Sequence, residues 1–180
     1  VVDHFQDQIR RAYLDPRVRG STTANYAVFL IAMERANDHF VYGNLDNWNS
    51  WKKYGALKVG RAQSKTPCGL RGKGGGLGIL EKANLLNGRS ADDVYSSLTN
   101  QEGIVLGLVL LQHLHDEALK PGSAINSVPT SFGSLDDRAW ILAYNAYNTD
   151  GSVGHFAIGK NGWEQAVSDT LKFSKAIKFP

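Results

Sequence analysis

Apolar residues recur at intervals of three and four along most of this chain, which is the spacing of one face of an α-helix. The first such segment is residues 3–14. Asp15-Pro16 predicts its end, because proline disfavours helical backbone in the residue before it. Its apolar face is predicted to consist of Phe5, Ile9 and either Ala12 or Tyr13.

A second helix is predicted after Ser21-Thr22-Thr23, whose hydroxyl groups are suitable N-caps. Its apolar face consists of Tyr26, Phe29, Leu30 and Met33. Glu34 follows near the end of this helix. A poorly solvated carboxyl at that point would have a raised pKa, as a general acid requires. Equally, Glu34 could be solvated and paired with Arg35.

Three more helices are predicted in the middle of the chain, over residues 77–86, 90–98 and 100 to about 120. Ser90 is a suitable N-cap for the second of these helices. Thr99 and Glu102 have the spacing of a capping box at the start of the third, which is the most apolar. Pro121-Gly122 predicts where it ends.

The stretch from Asp136 to Val153 begins as an amphipathic helix and ends in a polar turn, Thr149–Ser152. The residues expected to face the core are Trp140, Leu142, Ala143 and Ala146. Tyr144-Asn145 lies where this helix approaches the turn. The pair is either part of a binding site or simply the end of a core helix.

Residues 40–75 have the least regular pattern, whereas a last helix is predicted over 163–177. The irregular segment contains four aromatic residues among Asn and Lys: Tyr42, Trp48, Trp51 and Tyr54. They form either a carbohydrate-stacking surface or a loop that packs its own aromatics. Because strand signals are scarce, the sequence predicts one mainly α domain over 1–180 with a long irregular lobe.

Composition and charge exclude some classes of protein. The longest apolar run, 104–111, is shorter than the roughly 18 residues of a membrane span, so none is expected. A net charge of +3 is too modest to predict a nucleic-acid partner. The single cysteine, Cys68, excludes an internal disulfide and a structural thiolate cluster. His113 and His115 would lie on different faces of a helix, so we expect no metal and no cofactor.

Three segments, in this order, resemble the goose-type lysozyme and soluble lytic transglycosylase family of peptidoglycan-cleaving enzymes. Phe29–Glu34 is similar to the helix end that carries the family's catalytic glutamate. Gly76–Glu81 is similar to its G-x-G-L-M-Q segment, and Leu142–Ala146 to its A-Y-N-A-G segment. The resemblance covers about residues 20–178 and implies a lysozyme-like fold.

The resemblance also implies a role for each matching residue. Glu34 would protonate the β-1,4 bond between N-acetylmuramic acid and N-acetylglucosamine, then act as base on the muramoyl 6-hydroxyl. Tyr144 and Asn145 would position the sugar. Gly78 and Ile79 would bring the backbone close to the glycan. The amino-acid sequence also resembles the lytic enzymes of enveloped double-stranded RNA bacteriophages. This resemblance implies a virion-associated protein that acts in the host periplasm. Its partners would be peptidoglycan glycan strands and other virion proteins.

Three positions depart from the family pattern: Arg35 replaces Ser, Glu81 replaces Gln and Tyr147 replaces Gly. Glu81 would add a second carboxylate to the substrate-binding residues. The alternative reactions are inverting hydrolysis, in which Glu81, Asp92 or Asp93 positions a water, and cleavage of the peptide by an endopeptidase. The third alternative is a wall-binding virion protein with an inactive site.

Overall fold

The computed structural model describes residues 5–19 and 68–158. Glu34 and its predicted helix, the aromatic residues of 42–54 and the predicted helix 163–177 lie outside the described residues. The described part is mainly helical and contains no β-strand. It has five α-helices: α1 Gln6–Tyr13, α2 Gly76–Lys82, α3 Ala91–Ser97, α4 Asn100–Ala118 and α5 Leu135–Asn148.

Helix α4 is the centre of the packing, because α1, α2 and α5 all contact it. It is buried over most of its circumference from Gly103 to Leu111. A helix that is apolar on all sides requires such neighbours. Within residues 5–19 and 68–158, no helix combines the length and apolar character that a membrane crossing requires.

Helix α1 confirms the predicted first helix and decides its buried face. Ile9 and Ala12 are buried, whereas Tyr13 is only half-buried. The segment that follows is bonded to α4, since the backbone N–H and the Nε of Arg19 both donate to Gln112 Oε1, at 2.8 and 3.1 Å. This contact satisfies a buried side-chain amide of the central helix.

The N-caps predicted at Ser90 and Thr99 are confirmed, but the predicted capping box is not. Ser90 and Thr99 each accept a hydrogen bond from the backbone N–H three residues on. The capping box predicted at Thr99 is wrong, because the Glu102 carboxylate binds Arg89 Nη1 at 2.9 Å instead of returning to the cap. A reciprocal box is found at α5, between Ser134 and Asp137.

Helix α2 is shorter than the predicted 77–86 because Asn84 adopts a left-handed backbone, with φ 58°. The N–H of Leu85 then donates to the carbonyl of Leu80 at 2.8 Å, a common way of closing a helix. The connection between α4 and α5 also has local helical structure. It contains two short 3-10 helices, Ala124–Ser127 and Thr130–Phe132.

Candidate active site

The glycine-rich loop before α2, residues 71–75, forms a tight turn that is closed by backbone hydrogen bonds. The N–H of Gly75 donates to the carbonyl of Gly72 at 2.9 Å, and that of Leu77 to the carbonyl of Arg71 at 3.1 Å. Gly78 lies against the carbonyl of Lys73 so closely that a Cβ would overlap it. Gly78 is therefore needed for the loop's own packing, a requirement separate from the predicted contact with glycan.

Helix α2 is held against the central helix by a second glycine. A Cβ on Gly76 would lie 2.7 Å from Leu110 Cδ2 and 3.3 Å from Leu70 Cδ2, so only glycine fits without movement. Leu77 and Leu80 are fully buried beside it. The loop and the first turn of α2 are thus fixed to α4 by close packing.

Tyr144 and Asn145, the predicted sugar-positioning pair, are buried in the last turns of α5. The Asn145 Nδ2 donates to the backbone carbonyl of Ala157 at 3.1 Å. Thr149 Oγ1 donates to the carbonyl of Asn145 at 2.8 Å. This part of α5 therefore holds the segment after the turn in place, in addition to any contact with a sugar.

The turn after α5 contacts α2. Gly151 has φ 79°, and its N–H donates to the carbonyl of Ala146 at 2.8 Å. Its Cα lies against the half-buried side chain of Ile79 in α2. We call this contact the Ile79–Gly151 junction. One side, Ile79, belongs to the Gly76–Glu81 segment, and the other, Gly151, lies in the turn that follows Leu142–Ala146.

A second contact fixes α5 to the start of the glycine-rich loop. The hydroxyl of Tyr147 donates a hydrogen bond to the backbone carbonyl of Cys68. Gly107 of α4 provides the space, since a Cβ there would lie 2.7 Å from Cys68 Cβ and 3.5 Å from the Tyr147 hydroxyl. Tyr147 thus has a defined structural role, which the sequence did not indicate.

The candidate carboxylates differ in their surroundings. Glu81 is half-buried, and in the described part of the chain it forms no ion pair with Lys73 or Lys82. Asp93 Oδ2 accepts a hydrogen bond from the hydroxyl of Ser90 at 2.6 Å, so it belongs to the cap of α3. Asp92 is exposed in the same first turn.

Helix α4 contains two histidines, of which His115 packs against and pairs with neighbouring side chains. His115 is buried, stacks on Trp140 with ring centroids 3.9 Å apart, and has Nε2 2.9 Å from Asp136 Oδ1. His113 is half-buried. Over residues 5–19 and 68–158, no group of three or more His, Cys, Asp or Glu side chains could hold a metal ion.

Comparisons of this chain with protein-family models, with curated proteins and with solved structures gave no match.

Proposed function

We propose that this chain is a peptidoglycan-degrading enzyme that cleaves the β-1,4 bond between N-acetylmuramic acid and N-acetylglucosamine, as a lytic transglycosylase with a lysozyme-like fold. The observation that carries the proposal is the Ile79–Gly151 junction. One segment that resembles part of the family's active site here contacts the turn that follows the other resembling segment, Leu142–Ala146. A chance similarity of short motifs gives no reason for such a contact.

The reaction proposed at this site needs one carboxyl group. Glu34 donates its proton to the glycosidic oxygen, and the bond to the muramoyl C1 breaks. Glu34 then removes the proton of the muramoyl 6-hydroxyl, whose oxygen attacks C1 and gives a 1,6-anhydro end. Glycosidases that use water generally need two carboxylates. An intramolecular hydroxyl removes the need to position that water.

The described residues support the roles of the remaining groups. Ile79 is held by Gly151 and would present the first turn of α2 to the glycan. Tyr144 and Asn145 would position the sugar, and the Asn145 amide is itself held because its Nδ2 donates to the carbonyl of Ala157. Such positioning is effective only when the side chains are themselves held. The biological setting we propose is a virion-associated enzyme that breaches the wall from the host periplasm.

The decisive experiment is Glu34→Gln, which is nearly isosteric. Clearing of purified peptidoglycan should fall by about 10² or more, the usual contribution of a general acid. The matched control is Glu117→Gln, which removes a carboxylate of α4 that pairs with Lys120 just after the helix. Wild-type clearing by Glu34→Gln would refute the assignment.

Product analysis by mass spectrometry separates the alternatives. A transglycosylase leaves 1,6-anhydromuramoyl ends, a hydrolase leaves reducing ends, and an endopeptidase leaves new peptide termini with intact glycan. An inactive wall-binding protein leaves none of these. Overnight EDTA should not change the rate, and a loss restored by zinc would favour the endopeptidase.

A further inference from the structure

We propose that Arg71 and Lys73, on the loop before α2, form a subsite for the carboxylates of the peptides attached to the glycan. This inference rests on the proposed function and adds a second chemical group to the substrate that the site recognises. The subsite would lie beside the Ile79–Gly151 junction, on the side where α2 begins. It would bind peptide-bearing strands in preference to bare glycan.

The loop presents these two cations from a fixed backbone. Its turn is closed by the hydrogen bond from Gly75 to Gly72, and the carbonyl of Lys73 lies against Gly78 of α2. Gly72 also lies on the ring of Tyr95, where a Cβ would be 3.5 Å from Cγ. Cations on a preorganised turn lose less conformational entropy on binding than cations on a freely moving segment.

The side chain of Arg71 is also held in place, by packing of its Cβ and Cγ against Gly75. A Cβ on Gly75 would lie 2.5 Å from Arg71 Cβ and 3.4 Å from Arg71 Cγ, so the stem of the arginine occupies the space that glycine leaves. The residue as a whole is nevertheless exposed. The stem is thus packed while the guanidinium faces solvent, a common arrangement for arginine. A guanidinium held in this way can bind a carboxylate with two parallel hydrogen bonds.

The charges around the loop leave its cations available. Among the described residues, neither Arg71 nor Lys73 forms an ion pair. From residue 71 to residue 82 the chain has three cations and one carboxylate, the third cation being Lys82 and the carboxylate Glu81. Asp150 lies in the turn that contacts Ile79 through Gly151, and its Oδ1 lies 3.7 Å from His155 Nε2.

The chemistry of the wall identifies the group that such a subsite would bind. The alternating sugars carry neutral acetamido and hydroxyl groups, and the lactyl carboxyl of muramic acid is consumed in the amide bond to the peptide. The free carboxylates are therefore on the peptides. A cationic loop beside a glycan cleft would add affinity only where peptides remain attached.

The test compares Arg71→Gln/Lys73→Gln with the control Arg10→Gln/Arg11→Gln, which removes the same charge from exposed positions on α1. Both pairs are made in the Glu34→Gln background so that the ligand survives. Binding is measured to three immobilised ligands: glycan strands with peptides, strands stripped by an amidase and then amidated at the lactyl carboxyls that the amidase exposes, and peptide-bearing strands whose carboxylates have been amidated. Thermal melting confirms that both variants are folded.

The loop variant should bind peptide-bearing strands about 3- to 10-fold more weakly than the control, as expected for two exposed ion pairs. Its affinity for stripped or amidated strands should equal that of the control, and the difference should shrink as salt is raised. Equal affinity of the two variants for peptide-bearing strands would overturn the subsite. So would an equal loss on all three ligands. Failure of the wild type to clear walls or bind any strand would instead refute the function on which the subsite rests.

Discussion

Gly151 lies so close to Ile79 that a Cβ on the glycine would overlap the isoleucine Cδ1. The glycine also has φ 79°, a left-handed backbone conformation that other residues adopt with strain. Gly151 is therefore required twice, once for the turn that ends α5 and once for contact with α2. The two requirements can be separated by mutation.

Gly151→Ala should lower the free energy of unfolding by more than Gly88→Ala does. Gly88 has nearly the same φ, 77°, but nothing lies within 4 Å of its missing Cβ. Gly88→Ala should cost about 1–2 kcal/mol from backbone strain alone. Gly151→Ala should cost about 1–3 kcal/mol more, because the new methyl group meets Ile79. Urea denaturation measures both values.

The double variant Gly151→Ala/Ile79→Ala tests the origin of that excess. Removing the isoleucine side chain should make room for the new methyl group. The double variant should then be more stable than the sum of the two single effects predicts. Strict additivity would show that Gly151 and Ile79 do not touch in solution.

Tyr147→Phe should lower the free energy of unfolding by about 1 kcal/mol, since the hydrogen bond to the Cys68 carbonyl is lost with little change in shape. The matched control is Tyr13→Phe on α1, whose hydroxyl makes no hydrogen bond with another described residue. It should change stability by much less. Equal effects of the two substitutions would contradict the contact between α5 and the loop.

The two helix caps predict different couplings in double-mutant cycles. Ser134 and Asp137 bond each other through their side chains, so Ser134→Ala and Asp137→Ala should be non-additive by about 0.5 kcal/mol or more. Thr99→Ala and Glu102→Ala should add, because the Glu102 carboxylate binds Arg89. A coupling at Thr99–Glu102 as large as that at Ser134–Asp137 would restore the capping box that the structure replaces.

Asp15 should contribute a pH-dependent part of the stability. Its hydrogen bonds from Arg17 hold the pKa of its carboxyl below the ordinary 3.8. The contribution is therefore present above pH 3.8 and is lost as the pH falls through the folded-state pKa. Asp15→Asn should cost about 0.5–1 kcal/mol at pH 7, as a partly exposed ion pair does, and less as the pH falls. Arg17→Gln should reproduce this behaviour, and a loss that does not vary with pH would exclude it.

Glu81→Gln tests whether the half-buried carboxylate beside Ile79 takes part in the reaction. An ionised Glu81 only accepts hydrogen bonds and can orient a water, whereas glutamine also donates. We expect the variant to keep clearing walls and to produce fewer reducing ends relative to anhydro ends. The Glu117→Gln variant controls for the lost charge. An unchanged product ratio would place Glu81 outside the reaction and leave Glu34 as the sole catalytic carboxylate.

The sequence by itself determined the described helices and most of their buried faces. Ile9, Ala12, Trp140 and Ala146 are buried, as their spacing predicts, and Ser90 caps α3. These features depend on residues within four positions of one another, which is the range of helix periodicity and capping. The role proposed for Glu34 also comes from the sequence, through resemblance.

Only the tertiary structure decided which parts of the chain meet. Tyr147 bonds Cys68 across 79 positions and His115 pairs with Asp136 across 21, while Ile79 and Gly151 contact each other from separate helices and turns. Local pattern cannot specify such partners, because many residues of the right type are available at long range. The close packing around α4 selects among them, since a contact forms only where the side chains fit.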